Sequence, residues 1–409
     1  MEQDEHAQRR DEDGAVVFEP APPAVAPQAA GQHIGLRFTG SGWEYFRIWV
    51  VNLLLTLVTF GIYYPWARVR KLRYVYANTV VDGDALTYHA TGLQLFGGMV
   101  VAGIGIGLLN LIGRLSPIAG MVTTLIIWAL VPWFWRSAMR FRLSQTSWRG
   151  LRFRFTGSTG GAYAALGGSG LLFIGVIAAA AGLAVWVLKR GETEGLPGIT
   201  EIVTFVLVLV VVLAVVSAVG MAWIRRYQHN HYAFGDMGVR MNVSWQRVVA
   251  AGFWPVLLGL AVLAATFGAT IALGFAPQGA DAQEARTAAV VRVLSGVATL
   301  YLLAPLIAAF LVARYQNLFW SATHNDQLRF NSNLSPWRYM GLVAVSVILT
   351  MLTLGLYWPF AAMRLTRARV QAMSVQSTVD WATVQAAVTA NGNSLGDMAM
   401  DMEGMDFGI

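Results

Sequence analysis

The sequence predicts an α-helical polytopic membrane protein with six full transmembrane helices, two re-entrant or interfacial segments and short cytoplasmic β-hairpins that form a small β layer. Three observations predict this fold class: the composition, a row of long apolar segments, and short motifs that recur between those segments. Of the 409 residues, 56% are hydrophobic and only 12% are charged, whereas a soluble domain has about 25% charged residues.

Six apolar segments follow one another along the chain. Each is long enough for a transmembrane helix, since about 20 helical residues cross a hydrocarbon core of about 30 Å. Helices of soluble proteins are usually amphipathic and carry a polar face, so this pattern disfavours a large soluble α-helical protein. The segments are 93–113, 117–135, 162–188, 202–224, 249–275 and 288–313.

Two tails are expected to flank a membrane domain that covers residues 36–375 and is built from repeats. Residues 1–35 are acidic and then rich in Ala and Pro, a composition that predicts disorder because it buries too little apolar surface. Residues 376–409 are acidic and Met-rich and are predicted to be a flexible tail. The chain has no Cys, which excludes disulfides, thiol catalysis and cysteine-ligated metal sites.

The two ends of the membrane domain are similar to each other. Residues 41–73 and 335–367 align without a gap and share a T-x-G-x-Y-x-P element. Because Gly and Pro interrupt helices, this element is predicted to be a hinge where a short segment turns back. The hinge candidates are Thr59, Gly61, Tyr63 and Pro65 in the first copy and Thr353, Gly355, Tyr357 and Pro359 in the second.

Short hairpins are predicted between the apolar segments. The string RFTGS occurs at 37–41 and again at 154–158, within stretches that alternate apolar and polar residues near Gly, Asn or Asp turn signals. Sheet backbone cannot lie exposed in lipid, and a lone hairpin is marginal in water. The hairpins are therefore expected to assemble at one membrane surface. They are predicted at 73–92, 140–158, 226–244 and 314–335.

Basic residues indicate which surface this is. Twenty of the 29 Lys and Arg residues lie in the hairpin loops or just after the last apolar segment, and basic loops stay in the cytoplasm. Segments 46–64 and 340–358 stand alone, with basic residues soon after each. Six full spans with these two segments turning back keep those basic residues inside. Eight full spans, with both tails outside, is the alternative that the sequence leaves open.

Several stretches carry a resemblance to a known family. They include FTGSGWEYF at 38–46, TFGIYYPWARVRKLRYVYANT at 59–79, RYQHNHYAFG at 226–235 and TLGLYWPFAAMRLTRARV at 353–370. These stretches resemble the YjgN-like family of uncharacterised bacterial inner-membrane proteins, over nearly all of residues 36–375. The resemblance implies a multi-pass protein of the bacterial inner membrane. It implies no substrate, cofactor or catalytic residue.

Few polar residues lie at membrane depth. The six apolar segments contain no Asp, Glu or His, and ionisable residues of that kind usually mark ion pathways. This absence disfavours a proton- or sodium-coupled pump. The polar intramembrane candidates are Asn52 and Asn110, whose expected role is to bond neighbouring helices. His229 and His231 form an H-x-H pair without a counterpart in the other hairpins, so no metal site is predicted.

The basic hairpins interleave Arg with aromatic residues, a combination that suits anionic lipid headgroups and interfacial anchoring. The candidate lipid-contacting residues are Arg70, Arg73, Arg140, Arg142, Arg152, Arg154, Arg226, Arg314, Arg364 and Arg367. Nucleic acid is not an expected partner, since the topology alone accounts for the high pI. The chain also lacks a reactive constellation or nucleotide motif, so no enzymatic activity and no cofactor are predicted.

Two functions remain open from the sequence. The first is passive or facilitated movement of a lipid or an amphipathic solute, favoured by the similar chain ends, since many transporters have internal symmetry. The alternative is a scaffold that transports nothing and whose cytoplasmic β layer binds a protein partner or anionic lipid. The sequence does not constrain the oligomeric state.

Overall fold

A computed structural model describes residues 32–194, 199–235, 237–272, 282–379 and 381. The described chain is mostly helical, and the described part includes five helices that are long and apolar enough to cross a membrane. The prediction of a helical membrane protein is confirmed at this level. The apolar ranges are Gly92–Gly113, Pro117–Ser144, Thr159–Val187, Val208–Asn230 and Gly296–Ser321.

The six predicted apolar segments are helical as far as the structure describes them, and each of the two solitary segments contains a helix followed by a turn. They are Gly42–Val58 (α1), Tyr64–Ala77 (α2), Gly92–Gly113 (α3), Pro117–Ser144 (α4), Thr159–Ala162 (α5), Gly168–Glu194 (α6), Ile199–Asn230 (α7), Trp245–Ala272 (α8), Ala282–Ser321 (α9), Pro336–Leu352 (α10) and Trp358–Gln371 (α11). A π-helical turn, Tyr163–Gly167, joins α5 to α6. Ser or Thr side chains cap several of the helices that follow a strand, as the unpaired N–H groups of a first turn require.

The strands are short and lie between the helices. They are Gln32–Phe38 (β1), Thr79–Val81 (β2), Asp84–Ala85 (β3), Thr87–Tyr88 (β4), Thr146–Trp148 (β5), Leu151–Phe155 (β6), Tyr232–Phe234 (β7), Met237–Gly238 (β8), Arg240–Met241 (β9), Thr323–His324 (β10), Leu328–Ser332 (β11) and Met373–Ser377 (β12). Each of the four predicted hairpin ranges contains an antiparallel strand pair. The predicted tail boundaries shift slightly, because β1 begins at Gln32 and β12 ends at Ser377.

The same order of elements, strand, helix, helix and strand, occurs five times. In each of these five units the two flanking strands pair with each other: β1 with β2, β4 with β5, β6 with β7, β9 with β10, and β11 with β12. Each pair of helices therefore leaves the sheet at one strand and returns to it at the neighbouring strand. Both ends of every helical pair lie on the same side.

The strands form a continuous ring. A seven-stranded sheet and a five-stranded sheet share two chain segments, 84–88 and 237–241, each of which supplies one strand to each sheet. The ring closes where the first strand pairs with the last: Ile34 of β1 lies opposite Val375 of β12. Residues from the two ends of the chain are thereby held side by side.

The helices follow the strands around the ring. Among the described residues, each helix packs chiefly against the helices before and after it, and α1 packs against both α2 and α11. The buried clusters lie where helices meet strands, for example Phe155 of β6 with Ala162 and Tyr227. By contrast, the apolar membrane-length windows are only 0–17% buried within the chain. The apolar helix surfaces are thus left for other contacts.

Candidate functional site

The two short helical hairpins, α1–α2 and α10–α11, are the elements that contain the T-x-G-x-Y-x-P motifs. Each has a first helix of 17 residues and a second of 14. At 1.5 Å per residue these helices extend about 25 Å and about 21 Å, which is less than the hydrocarbon core of about 30 Å. In the first hairpin the chain leaves the sheet after β1 and returns at the strand paired with it, since Phe38 of β1 lies opposite Thr79 of β2.

One side-chain hydroxyl makes hydrogen bonds to the backbone before and after the turn of the first short hairpin. The Thr59 Oγ1 donates to the carbonyl of Leu55 at 2.7 Å and accepts from the backbone N–H of Tyr63 at 3.0 Å. Phe60 and Gly61 have φ angles of 49° and 89°, in the left-handed region that favours glycine. These contacts connect the end of α1 to the start of α2.

The second short hairpin has the same turn. The Thr353 Oγ1 donates to the carbonyl of Leu349 at 2.7 Å and accepts from the N–H of Tyr357 at 2.9 Å. Leu354 and Gly355 have φ angles of 50° and 94°. The prolines of the two motifs, Pro65 and Pro359, begin the return helices and are fully buried.

The tips of these turns are apolar and uncovered. Phe60 is 97% exposed and Leu354 is 95% exposed, and Ile62 and Leu356 beside them are also exposed. An uncovered apolar tip is favourable in lipid and costly in water, at roughly 25 cal/mol per Å² of apolar surface. The motif therefore builds a fixed turn with an apolar tip, and its role as a moving hinge remains a prediction.

The polar intramembrane candidates behave differently from each other. Asn52 is buried, and its amide nitrogen donates to the carbonyl of Ala67 at 3.4 Å while Arg70 donates to its amide oxygen at 3.5 Å. Asn52 thus connects α1 to α2. Asn110 is exposed and donates to the carbonyl of Ile106, one turn earlier in its own helix, at 2.8 Å.

Several predicted lipid-contacting arginines bind the protein itself. Arg73 donates to the carbonyl of Ala90 and Arg367 to the carbonyl of Gly40, both at 2.8 Å. Each carbonyl belongs to the residue before a helix cap in the next unit, and the Arg367 contact joins the last unit to the first. Arg70, Arg142 and Arg154 likewise donate to Asn52, Tyr76 and Gly235.

Arg136 makes the same contact and was not among the predicted residues. Its Nε donates to the carbonyl of Gly157 at 2.8 Å, just before the cap residue Ser158. The sequence signal that could have identified Arg136 is its position one to two turns before the end of its helix, which Arg73 and Arg367 share. These arginines join successive units around the ring.

The remaining predicted arginines are spread over different units, so the ten do not form one cluster. Arg152, Arg226 and Arg364 are exposed, and Arg314 is half-buried with its guanidinium 6.0 Å from the centre of the Phe310 ring. Arg140 also interacts within the protein. The exposed arginines are the ones that remain accessible to an anionic ligand.

The two histidines of the H-x-H pair have separate partners. His229 is buried with its Nδ1 2.8 Å from the Thr323 hydroxyl, and the Nδ1 of His231 donates to the carbonyl of Tyr227 at 2.7 Å. The described residues contain no group of three His, Asp or Glu side chains that could hold a metal ion. Asp236, the acidic residue near this pair in sequence, lies outside the described residues.

A contact between two hairpin turns was not predicted from the sequence. Arg149, at the second turn, pairs with Asp82 at 3.1 Å and with Asp84 at the first turn. The hydrogen bond that Arg149 donates to the Asp84 carboxylate raises the pKa of the Arg149 guanidinium, so the cation is retained at all physiological pH values. Arg149 also lies over the Trp148 ring, with 4.6 Å between its guanidinium carbon and the ring centre.

Trp148 connects this cluster to Trp381, which follows the last strand. The ring of Trp381 packs edge-on against Trp148 at 5.1 Å and against Phe234 at 5.9 Å. Trp381 belongs to the stretch predicted as a flexible tail, yet it lies against the strand ring.

Desolvation by burial lowers the pKa of His89, whose Nε2 is 2.7 Å from the Ser147 hydroxyl.

Comparisons with known proteins agree with the membrane assignment. The family model described as "Bacterial protein of unknown function (DUF898)" matches residues 33–402. "Inner membrane protein YjgN" of Salmonella typhimurium is 27% identical over 84% of this chain and 89% of that protein. The proteins of the same name from Escherichia coli O157:H7 and K12 are each 37% identical, but the alignments cover only 32% and 31% of their lengths. No solved structure matches the chain.

Proposed function

Since this chain belongs to the family described as Bacterial protein of unknown function (DUF898), we propose that it is a multi-pass inner-membrane protein through which a lipid or amphipathic solute moves passively. The observation that carries the proposal is the helix ring, whose members pack chiefly against their sequence neighbours. Their membrane-length windows are 0–17% buried within the chain. In the proposed arrangement, the ring of helices has one uncovered face toward the bilayer and one toward a space that the ring surrounds.

The composition of the membrane segments favours an apolar solute over an ion. The predicted membrane segments carry no Asp, Glu or His, whereas ion pathways usually contain such groups. Small and aliphatic side chains predominate in these segments, and Gly97, Gly103 and Gly107 of α3 have no neighbouring atom at the Cβ position. Lipid chains match such surfaces without a desolvation penalty.

The proposed path opens sideways at the two short hairpins. They are neighbours, because Phe360 of α11 packs against Phe46 and Trp43 of α1 with ring centres 5.4 Å and 6.4 Å apart. Both are shorter than the hydrocarbon core, whereas the other three helical pairs are long enough to cross it. The wall of the ring is therefore lower here, and this gap is the proposed exit to the bilayer.

The proposal includes a topology of six full spans and two re-entrant hairpins. Basic residues of the strand ring and of the helix ends next to it support a cytoplasmic location for that side, because basic segments are retained in the cytoplasm. Exposed arginines such as Arg226 and Arg364 then lie near the cytoplasmic leaflet, where each adds about 1 kcal/mol of attraction to anionic lipid.

Reconstitution tests the proposed movement. Full-length protein is incorporated into vesicles of phosphatidylethanolamine and phosphatidylglycerol that contain a trace of fluorescent phospholipid, and dithionite is added outside. Passive movement across the bilayer makes the inner-leaflet fluorophores accessible, so the bleached fraction rises with the protein-to-vesicle ratio. The control is an unrelated helical membrane protein at the same density. A bleached fraction equal to that control at every ratio rules out transbilayer movement of phospholipid.

A second candidate function is a scaffold, and one observation favours it. The outward face of the strand ring carries exposed arginines on several strands: Arg37, Arg152, Arg154, Arg240 and Arg329. A basic surface in water suits an acidic cytoplasmic protein partner. Salt-sensitive capture of such a partner by the reconstituted protein, together with unchanged bleaching, would favour the scaffold.

A further inference from the structure

An apolar groove lies between helices α8, α9 and α10, on the strand side of the membrane region. Its volume is about 390 Å³, within the range of about 300–1,000 Å³ that is usual for small-molecule sites. Its walls are aliphatic and aromatic, with Leu258, Leu303 and Ile307 among them. Among the described residues that line it, the one with a charged side chain is Arg314.

The groove has the length of one bilayer leaflet. Its α9 wall runs from Leu303 to Arg314, which at 1.5 Å per residue is about 16 Å. Half of a hydrocarbon core of about 30 Å is close to this value. The charged end is also aromatic, because Phe310 and Trp337 meet there edge-on with ring centres 5.0 Å apart. Aromatic residues of this kind mark the membrane–water interface.

Arg314 differs from the arginines that join the units. Arg73, Arg136 and Arg367 each donate to a backbone carbonyl at 2.8 Å. Within the described part of the chain, no oxygen accepts a hydrogen bond from Arg314, whose guanidinium faces the Phe310 ring instead. A half-buried cation with unused donors favours an anionic ligand.

We propose that this groove binds one acyl chain of an anionic phospholipid, with the lipid phosphate bound by Arg314. The charge at one end and the apolar walls beyond it match the two halves of such a lipid. The proposal goes beyond solute movement, because a lipid that remains bound here satisfies the same geometry.

A photoactivatable lipid tests the site. Full-length protein is placed in phosphatidylcholine vesicles containing a small fraction of phosphatidylglycerol with a diazirine near the end of one acyl chain. After illumination, labelled peptides are mapped by mass spectrometry. We expect labelling near Val262 and Leu303, at the inner end of the groove. Arg314→Gln should lower it about fivefold, the factor that corresponds to the attraction of one basic residue for anionic lipid.

Matched variants and probes separate the outcomes. Arg314→Lys keeps the charge and should restore most of the labelling, while Arg114→Gln removes an exposed arginine at the α3–α4 turn, outside the groove, and should leave it unchanged. The same diazirine on phosphatidylcholine should label the groove more weakly. Equal labelling by both lipids and by Arg314→Gln, or none at the groove, overturns the proposal. Normal labelling without dithionite bleaching would refute lipid movement and leave this site intact.

Discussion

Replacing Val375 with Asp is expected to destabilise the protein by about 3–5 kcal/mol, the usual cost of a buried charge without a partner. Val375 is buried in β12 between Ile34 of β1 and Phe330 of β11. It therefore lies at the point where the first and last strands close the ring. The loss should appear as a lower midpoint of thermal unfolding for the purified protein in detergent, measured by circular dichroism.

The adjacent residue provides the control. Gln376 is exposed on the opposite face of β12, with His33 and Arg329 as its cross-strand neighbours. Gln376→Asp adds the same charge next to a cation, so the free energy of unfolding should change by at most about 0.5 kcal/mol. Equal effects of the two substitutions would show that β1 and β12 do not pair as described.

Gly61→Ala and Gly355→Ala are each expected to cost about 1–2 kcal/mol of stability. Both glycines have free space around the Cβ position, but their φ angles are 89° and 94°. The penalty therefore comes from the backbone conformation of the turn alone. We expect a lower unfolding midpoint for each variant, and a larger shift when the two substitutions are combined.

Gly97→Ala separates this effect from a general response to Ala. Gly97 also has open space at its Cβ position, but it lies inside helix α3, where Ala is favoured over Gly by about 1 kcal/mol. This variant should be as stable as the wild type or more so. If Gly61→Ala is equally harmless, the left-handed turn is not populated. The hinge prediction is wrong if the double variant, Gly61→Ala with Gly355→Ala, folds stably and vesicles that contain it show the same bleached fraction as vesicles with the wild-type protein.

Local sequence patterns predict much of the fold. The apolar segments identify the long helices, and the Gly, Asn and Asp turn signals identify the four predicted β-hairpins. Helix ends were harder to predict. Helix α4 continues to Ser144, well past the apolar segment that ends at 135, because its Arg-rich last turns pack against β6. Apolar composition marks only the part of a helix that lies in lipid.

Ring closure could not be read from the sequence. Residues Ile34 and Val375 are far apart in the chain, and several strands share the same short alternating pattern. Such patterns do not select one partner over another. The same limit applies to Arg73 and Arg367, which carry the charge expected of lipid-contacting residues but donate to carbonyls of the next unit. Composition gives the charge of a side chain and not its partner.

The placement of every helical pair with both ends on one side of the membrane is tested most directly by cysteine accessibility, since the chain has no Cys. Single cysteines would replace Ala85 on the strand ring, Leu115 in the α3–α4 turn, and Phe60 and Leu354 at the short-hairpin tips, all of which are exposed in the structure. Intact cells are then treated with a membrane-impermeant maleimide. We expect labelling of Leu115→Cys alone. Labelling of Phe60→Cys or Leu354→Cys as strong as that of Leu115→Cys would mean that these segments cross the bilayer, and would contradict the re-entrant hairpins and the lateral opening above them.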